Sequence, residues 1–437
     1  MSNMITHRSI FSIAVPVMIS NMSTPLIGVI DTAIMGRIPE PSLIGSVALS
    51  SLIFTFVFWA FGFLRMGTTG LTAQAVGAKD DGEISATLTR ALLLALSIGV
   101  VLIILQIPIR SAAFAISDAS PQVETLAMSY FDIRIWSAPA ALLNYALLGW
   151  LIAIGKPKAA LAQQLTLNIS NMVLDAFFVL HLGMGVEGVA LGTLIAEYLA
   201  AVLGLIIAWK MTPFFLLGSS TSVFQRKSIV RMLTINSDIM IRSLALTFVF
   251  GWFTFQGAKY GDITLAANAV LIHFLAVSAY FLDGFAFATE KLVGESIGAK
   301  QRQLFRQAIK LTSLWAAMFA LAISILLFAV GNHVIHLLTV DPDVRLVAEE
   351  FLILGAITPI IGVWCFQLDG VFIGATFSRE MRNSMLLSTA LFLLLWVFLS
   401  GYGNVGLWLA FISHFILRAI TLLAYLPRIK RSLKTVS

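Results

Sequence analysis

Long runs of apolar residues follow one another along almost the whole chain, separated by short polar segments. A helix that crosses a bilayer needs ~20 predominantly apolar residues. Twelve runs approach or exceed that length, with approximate limits of 10–35, 43–64, 88–109, 124–152, 159–181, 186–209, 232–255, 263–290, 308–330, 347–374, 383–400 and 405–427. We therefore predict an all-α integral membrane protein with twelve transmembrane helices.

The lysine and arginine residues predict how these helices are oriented. If the N-terminus lies in the cytoplasm, the cytoplasmic segments carry 19 of the 28 basic residues and the outer segments carry 4. Short cytoplasmic loops of membrane proteins are enriched in lysine and arginine. Adding or removing one helix would destroy this alternation. The charge pattern thus supports the count of twelve and predicts that both termini are cytoplasmic.

The composition agrees with a membrane protein and excludes several other classes. Of the 437 residues, 59% are hydrophobic and 11% are charged, whereas soluble proteins carry about 25% charged residues. The net charge is +6, but the basic residues lie in short loops and form no continuous face, so we expect no nucleic-acid partner. The lipid bilayer is the expected surrounding, and we expect a monomer. The first apolar run is about as long as a span and no soluble domain follows it, so we expect it to be retained and not cleaved.

The chain also repeats a motif at long range. Residues 61–79 read FGFLRMGTTGLTAQAVGAK, residues 282–300 read LDGFAFATEKLVGESIGAK, and the closing Gly-Ala-Lys sequences are 221 residues apart. We therefore predict two pseudo-symmetric six-helix lobes in the same orientation, 1–215 and 216–437, joined by a linker at 210–231. Parallel repeats of this kind surround a central substrate path in known transporters.

Several polar residues interrupt the apolar runs of the first lobe at a similar depth. Asp31, Asp175, Thr193 and Tyr130 each lie about four to seven residues from the outer end of their run, and Asn171 precedes Asp175 by one helical turn. A carboxylate inside the bilayer costs about 2.5–3.5 kcal/mol on insertion scales, so it needs a partner, water or a function. The group is a candidate ion site. The alternative is that these side chains only hydrogen-bond neighbouring helices together.

The predicted chemistry of this group follows from its two carboxylates. Two carboxylates in a poorly solvated pocket do not both ionise easily, so they favour uptake of a proton. The same oxygens can hold a sodium ion, with Asn171 and Thr193 as neutral oxygen ligands. Tyr130, Asn144 and Met172 are candidates for lining a substrate cavity, although a tyrosine near a helix end is also common at the membrane interface.

The second lobe contains another group of polar residues near its predicted inner face. Asp238 and Arg242 are separated by one helical turn and are therefore expected to pair. Asp283, Glu290 and Asp369 complete the group. Because the basic Arg242 would neutralise a carboxylate, we favour a structural or gating network here over a second cation site.

Four segments carry a resemblance to a known family, and they read GVIDTAIMGR, GFLRMGTTGLTAQAVGA, SNMVLDAFFVL and LDGFAFATEKLVGESIGA. They resemble the DinF-like branch of the multidrug and toxic compound extrusion family. The resemblance implies two lobes around a central cavity, export of cationic or amphipathic organic compounds against inward flow of protons or sodium ions, and a bacterial inner membrane location. It also implies that Asp31, Asn171, Asp175 and Thr193 form the cation site. Pro16 matches the proline at which the family's first helix bends, although a static kink is an equal alternative.

Two other functions are alternatives to an antiporter, namely a flippase and an intramembrane transferase. A flippase for a lipid-linked precursor, from the same superfamily, would need basic residues in its cavity to hold a pyrophosphate, and Arg134, Arg242 and Arg418 are the candidates. An intramembrane transferase would need an acid–base pair at one membrane face, but the spacing of His273 and Asp283 does not align them. The sequence contains no Walker motif and no cysteine–histidine metal set, so we expect no cofactor, no metal site and no enzymatic activity, with an ion gradient as the energy source.

Overall fold

The computed structural model describes residues 4–35, 37–38, 40–115, 117, 119–212 and 223–433. The predicted lobe boundary between residues 215 and 216 lies outside the described residues. The described residues fold almost entirely into α-helices joined by short connections. The helices of the first half are α1 His7–Met35, α2 Pro41–Trp59, α3 Phe63–Ala78, α4 Asp81–Ile104, α5 Gln106–Phe114, α6 Pro121–Arg134, α7 Ala138–Ala153, α8 Pro157–Ala176 and α9 Gly185–Met211. Those of the second half are α10 Arg226–Ala258, α11 Asp262–Gly298, α12 Arg302–Leu338, α13 Pro342–Ala375, α14 Ser378–Leu399 and α15 Gly403–Ser432.

These helices provide the twelve predicted crossings. In the described part of the chain, ten stretches are long and apolar enough to span a membrane, and the last of them, Ser378–Ser432, contains both α14 and α15. The remaining crossing, fifth in chain order, is α8, a 20-residue helix that continues as a π-helical segment over Phe177–His181. Its polar residues lower its mean hydropathy, yet the helix is long enough to cross the hydrocarbon core.

The helices form two compact units. One unit comprises Ile19–Thr72 and Asp80–Met232, and the other comprises Met1–Met18, Ala73–Lys79 and Leu233–Ser437. This grouping differs from a simple division into halves, because the start of α1 and the end of α3 belong with the second half. Close contacts of these two segments with α11 explain the difference, as shown by Met18 against Gly284.

Each unit has its own interior of packed helices. In the first unit, α9 contacts α6, α7 and α8, while α2 packs on α6 and α4 packs on α7. In the second unit, α13 contacts α11, α12 and α15, and α14 packs on α15. Large side chains such as Trp150 and Phe131 in the first unit, and Trp408 and Phe285 in the second, are fully buried. Dispersion contacts among such side chains are a major source of stability for helices in lipid.

Two crossings of the first unit are locally irregular. The fourth crossing changes from α6 to a 3-10 turn over Ile135–Ser137 before α7 begins, and α7 carries Pro139 in its first turn. The fifth crossing changes from α8 to the π-helical segment over Phe177–His181. Such interruptions leave backbone groups outside the regular α-helical bonding pattern and are frequent at functional sites. Here the first begins directly after Arg134, and the second begins two residues after Asp175.

Candidate functional site

Two buried carboxylates of the first unit meet between α1 and α8. The side chains of Asp31 and Asp175 are within hydrogen-bonding contact of each other. Asp31 is 7% exposed and Asp175 is fully buried. Two carboxylates in contact repel each other unless a proton or another cation lies between them. This contact between distant parts of the sequence is the main feature of the site.

Asn171 and Thr193 join the same cluster. The Asn171 side-chain amide donates to Oδ2 of Asp175 at 2.8 Å and to Oγ1 of Thr193 at 3.0 Å. Thr193 Oγ1 in turn donates to the carbonyl oxygen of Val189 at 2.8 Å. The structure therefore brings together all four residues that the sequence suggests for a cation site. The roles of these residues remain a proposal.

The cluster has oxygen atoms that are available to a cation. One oxygen each of Asp31, Asn171 and Asp175, the Oδ1 atom in every case, is buried and accepts no hydrogen bond from a described donor. Buried polar atoms are normally paired, and carboxylate and amide oxygens suit hard cations or protons. Gly192 on α9 leaves room for this arrangement, because a Cβ atom there would lie 2.0 Å from Oδ1 of Asp175.

The three candidates for a substrate-facing wall have different surroundings. Tyr130 is buried, its hydroxyl group hydrogen-bonds Ser51, and the charges of Asp31 and Asp175 act on it. Met172 is half-buried on α8. Asn144 is buried and hydrogen-bonds Glu197, which is not among the predicted site residues.

Glu197 and Arg134 form a second polar group within the same unit. Nη2 of Arg134 lies 3.4 Å from Oε1 of Glu197. The Asn144 amide donates to Oε2 of Glu197 at 2.8 Å, and the Gln163 amide donates to the Asn144 side-chain oxygen at 2.9 Å. The sequence contained a signal for Glu197, because an acidic residue lies in the middle of an apolar run and one helical turn after Thr193.

The polar residues of the second unit pair differently from the prediction. Asp238 does not pair with Arg242, so that prediction is wrong. Asp238 instead accepts from Arg382 at 2.6 Å and from Ser378 at 2.8 Å. Arg242 pairs with Asp369. The one-turn spacing brings two side chains to the same side of a helix, but here neighbouring helices offer each of them another partner.

Asp369 is the centre of this second network. Both Arg242 and Arg418 contact the same oxygen of its side chain, and all three residues are buried. The charge of Asp283, which is half-buried, also acts on Arg418. Glu290 is buried about two turns further along α11, and its carbonyl oxygen lies against Gly374. Because two guanidinium groups contact the Asp369 carboxylate, this carboxylate carries no uncompensated negative charge that a coupling cation would neutralise.

Pro16 is buried within α1, close to the point where this helix passes from one compact unit to the other. Met18 is the last residue of the segment that belongs to the second unit, and Ile19 is the first that belongs to the first unit. Asp31 lies about four turns further along the same helix. Pro16 therefore lies two residues before the boundary between the two units along α1, and its role as a hinge remains a proposal.

Comparisons with known proteins agree with this architecture. The MatE family profile matches the chain twice, over residues 16–177 and 239–400. These two matches cover most of the chain. The chain belongs to the MatE family. The double match also confirms the internal repeat seen in the Gly-Ala-Lys motifs.

Individual relatives of this MatE protein support the predicted branch. The chain is 40% identical to DNA damage-inducible protein F of Escherichia coli (strain K12) over 420 residues, which is 96% of this chain and 92% of the relative. It is 19% identical to multidrug export protein MepA of Staphylococcus aureus (strain MSSA476), covering 77% of this chain and 74% of the relative. Its fold matches a crystal structure of MATE in the straight conformation with a TM-score of 0.88 and 19% identity, covering 98% of this chain and 97% of the other. The DinF-like resemblance and the two-lobe fold are thus confirmed.

Proposed function

We propose that this MatE-family protein is a secondary antiporter of the bacterial inner membrane, which exports amphipathic or cationic organic compounds in exchange for protons or sodium ions. The observation that supports this most directly is the contact between Asp31 and Asp175, with Asn171 and Thr193 beside them. Family membership supports transport, and the named activity of MepA supports drugs as the substrate class.

The coupling follows from the charge of the cluster. With both carboxylates ionised, two negative charges lie together in a poorly solvated region, and this arrangement is costly. A proton or sodium ion entering from outside relieves the repulsion and lets α1 and α8 pack closely. Substrate bound from the cytoplasmic side favours release of that ion. Exchange then arises because the two occupancies stabilise different arrangements of the helices.

The flippase alternative receives less support. It predicts basic side chains that are available to a pyrophosphate. Arg134 pairs with Glu197, and Arg242 and Arg418 both pair with Asp369. Each of these guanidinium groups already has a carboxylate opposite its charge, which disfavours the binding of a pyrophosphate, so the antiporter is the better interpretation.

Transport by the purified protein in lipid vesicles tests the proposal. Ethidium is the probe, and a pH gradient and a sodium gradient are imposed in separate experiments. We expect one of the gradients to drive ethidium transport in the wild type, and we expect Asp31→Asn to abolish it. Asp132→Asn, on an exposed ion pair with Arg110, is the control that should transport normally. Ethidium transport that depends on neither gradient, or normal transport by Asp31→Asn, would contradict the proposal.

A further inference from the structure

The polar group around Glu197 lies in the same unit as the proposed coupling site but has no part in the coordination described above. Glu197 follows Thr193 by one helical turn on α9, so the two residues share a helix face. Its carboxylate is held by the Asn144 amide at 2.8 Å, and Asn144 is held by Gln163 at 2.9 Å. Because all three residues are buried, Glu197 is fixed by hydrogen bonds that do not depend on Arg134.

Arg134 is attached to Glu197 much less tightly. The separation of 3.4 Å between Nη2 of Arg134 and Oε1 of Glu197 is longer than the ~2.7–2.9 Å of a strong charged hydrogen bond. The rest of the guanidinium contacts Ser137 and lies over the rings of Phe54 and Phe58, with 5.6 and 5.5 Å to their centroids. Aromatic faces stabilise a cation without fixing its direction. The contact with Glu197 is therefore longer than the hydrogen bond that this guanidinium group makes to Ser137.

The charge of Arg134 also reaches the Asp31–Asp175 pair. It acts on both carboxylates and on Tyr130 and Tyr145, which lie on α6 and α7. Two further charges act on Tyr145, those of Glu197 and of Arg65 on α3. The guanidinium of Arg134 thus contacts one buried carboxylate, that of Glu197, and its charge acts on two others.

The backbone provides freedom at the two places that such a movement requires. Arg134 is the last residue of α6 before the 3-10 turn over Ile135–Ser137, and the π-helical segment begins two residues after Asp175. Both irregular segments flank the charged groups themselves. A regular α-helix would hold these side chains more rigidly.

We propose that Arg134 is a positioning residue whose guanidinium alternates between Glu197 and the Asp31–Asp175 pair. Glu197 holds it while the pair carries the coupling cation, and it turns to the pair when that cation leaves. The two carboxylates of the pair then always have a cation beside them, either the coupling cation or the guanidinium of Arg134. When Arg134 turns away, Glu197 keeps its hydrogen bond from the Asn144 amide. This inference rests on the proposed function, since it assumes that the pair takes up and releases a cation.

Infrared titration of the purified protein tests this proposal without requiring transport. The signal is the infrared band of the protonated carboxyl group that is absent in Asp31→Asn. Its intensity is measured as a function of pH in the wild type, Arg134→Gln, Glu197→Gln and the double variant. Glu197→Gln should free Arg134 for the pair, so that protonation needs a proton concentration about tenfold higher, which corresponds to one pH unit. Arg134→Gln should shift the midpoint in the opposite direction. When Arg134→Gln is already present, adding Glu197→Gln should shift the midpoint by less than half of the shift that Glu197→Gln causes in the wild type.

The double variant separates action through Arg134 from a direct effect of the Glu197 charge. An equal shift in both backgrounds, or no shift in either, would overturn the proposal. Arg110→Gln, on the exposed pair with Asp132, should leave the midpoint unchanged. If Arg134→Gln does not fold, Arg134→Lys keeps the charge but loses the planar fork, and an unchanged midpoint in that variant would contradict the proposal. A wild type that shows these titrations but no gradient-driven ethidium transport would contradict the proposed function and leave the sharing of Arg134 intact.

Discussion

Gly77 and Gly298, which are 221 residues apart, make reciprocal contacts where α3 and α11 end. A Cβ atom on Gly77 would lie 2.0 Å from the carbonyl oxygen of Glu295, and one on Gly298 would lie 1.9 Å from that of Gln74. Gln74 and Glu295 are themselves 221 residues apart. The repeated motifs therefore pack against each other in a symmetric way, with each glycine on the backbone of the other motif.

The residues that end these motifs share an uncommon backbone conformation. Lys79 has a φ angle of 57° and Lys300 has one of 56°. Residues other than glycine seldom adopt the left-handed region, so its occurrence at both equivalent positions shows that the repeat extends to local geometry. The left-handed residue ends each helix directly after the close contact.

Alanine at either glycine should destabilise the protein. Gly77→Ala and Gly298→Ala place a methyl group against backbone atoms that cannot move away alone, and overpacking of this kind costs about 1–3 kcal/mol. Thermal unfolding of the purified protein in detergent measures the effect. Gly251→Ala is the matched control, because a Cβ atom at that position on α10 has nothing within 4 Å. Its stability should be equal to or slightly above that of the wild type, and equal stability of all three variants would contradict the close packing.

Gly192→Ala should impair coupling without removing any polar group. The added methyl group would lie 2.0 Å from Oδ1 of Asp175, so the carboxylate must move away from its partners. Since a displacement of about 1 Å can lower a rate by up to about 100-fold, we expect at least a tenfold loss of gradient-driven ethidium transport. Membrane insertion should be retained.

The comparison variant for Gly192 is Gly28→Ala, on the helix that carries Asp31, where a Cβ atom has nothing within 4 Å. Transport by Gly28→Ala should equal that of the wild type. If Gly192→Ala transports equally well, the position of the Asp175 carboxylate does not determine coupling.

Asp369→Asn should reduce stability more than Asp238→Asn. Removing the charge of Asp369 leaves the buried guanidinium groups of Arg242 and Arg418 without their shared carboxylate, and breaking a buried pair costs about 3–5 kcal/mol. Asp238 pairs with Arg382, whose side chain is 27% exposed and can turn to water. Unfolding midpoints of the two variants under the same conditions provide the measurement. A larger loss in Asp238→Asn would contradict the structural role assigned to Asp369.

Pro16→Ala should preserve the fold and slow transport if α1 bends at this residue. Proline removes one backbone hydrogen bond, so alanine restores it and stiffens the helix. Pro25→Ala, later on the same helix and wholly within one compact unit, is the control. Unfolding midpoints at or above the wild-type value, with slower ethidium transport in Pro16→Ala alone, are the expected results. Equal transport by both variants would favour a static kink.

Much of the fold follows from the sequence because lipid imposes strong constraints on it. Only helices and closed barrels satisfy the backbone within a membrane, so the lengths of the apolar runs determine the crossings. The predicted α8 crossing shows that charge alternation adds information, since this helix is not among the ten apolar stretches. The breaks in regular α-helix at Ile135–Ser137 and Phe177–His181 have no equally simple pattern in the sequence. They depend on how the neighbouring helices pack.

The proposed cation site was predictable for a similar reason. Carboxylates are so costly in lipid that Asp31 and Asp175 stand out, and depth along the helices places them together. The partners of Asp238 and Arg242 were not predictable, because they depend on how two further helices, α13 and α14, face α10. Glu197 was missed although it lies within an apolar run, since its partners Arg134 and Asn144 come from other helices.

Proton movement coupled to ethidium tests the central claim most directly. A pH-sensitive dye trapped in vesicles that contain the purified protein reports protons driven by an imposed ethidium gradient, with sodium absent and then present. The account predicts ethidium-driven proton flux, or sodium-dependent exchange in its place, in the wild type and in Asp132→Asn, and none in Asp31→Asn or Asp175→Asn. Ethidium-driven ion exchange of wild-type size in folded Asp31→Asn and Asp175→Asn would contradict the account.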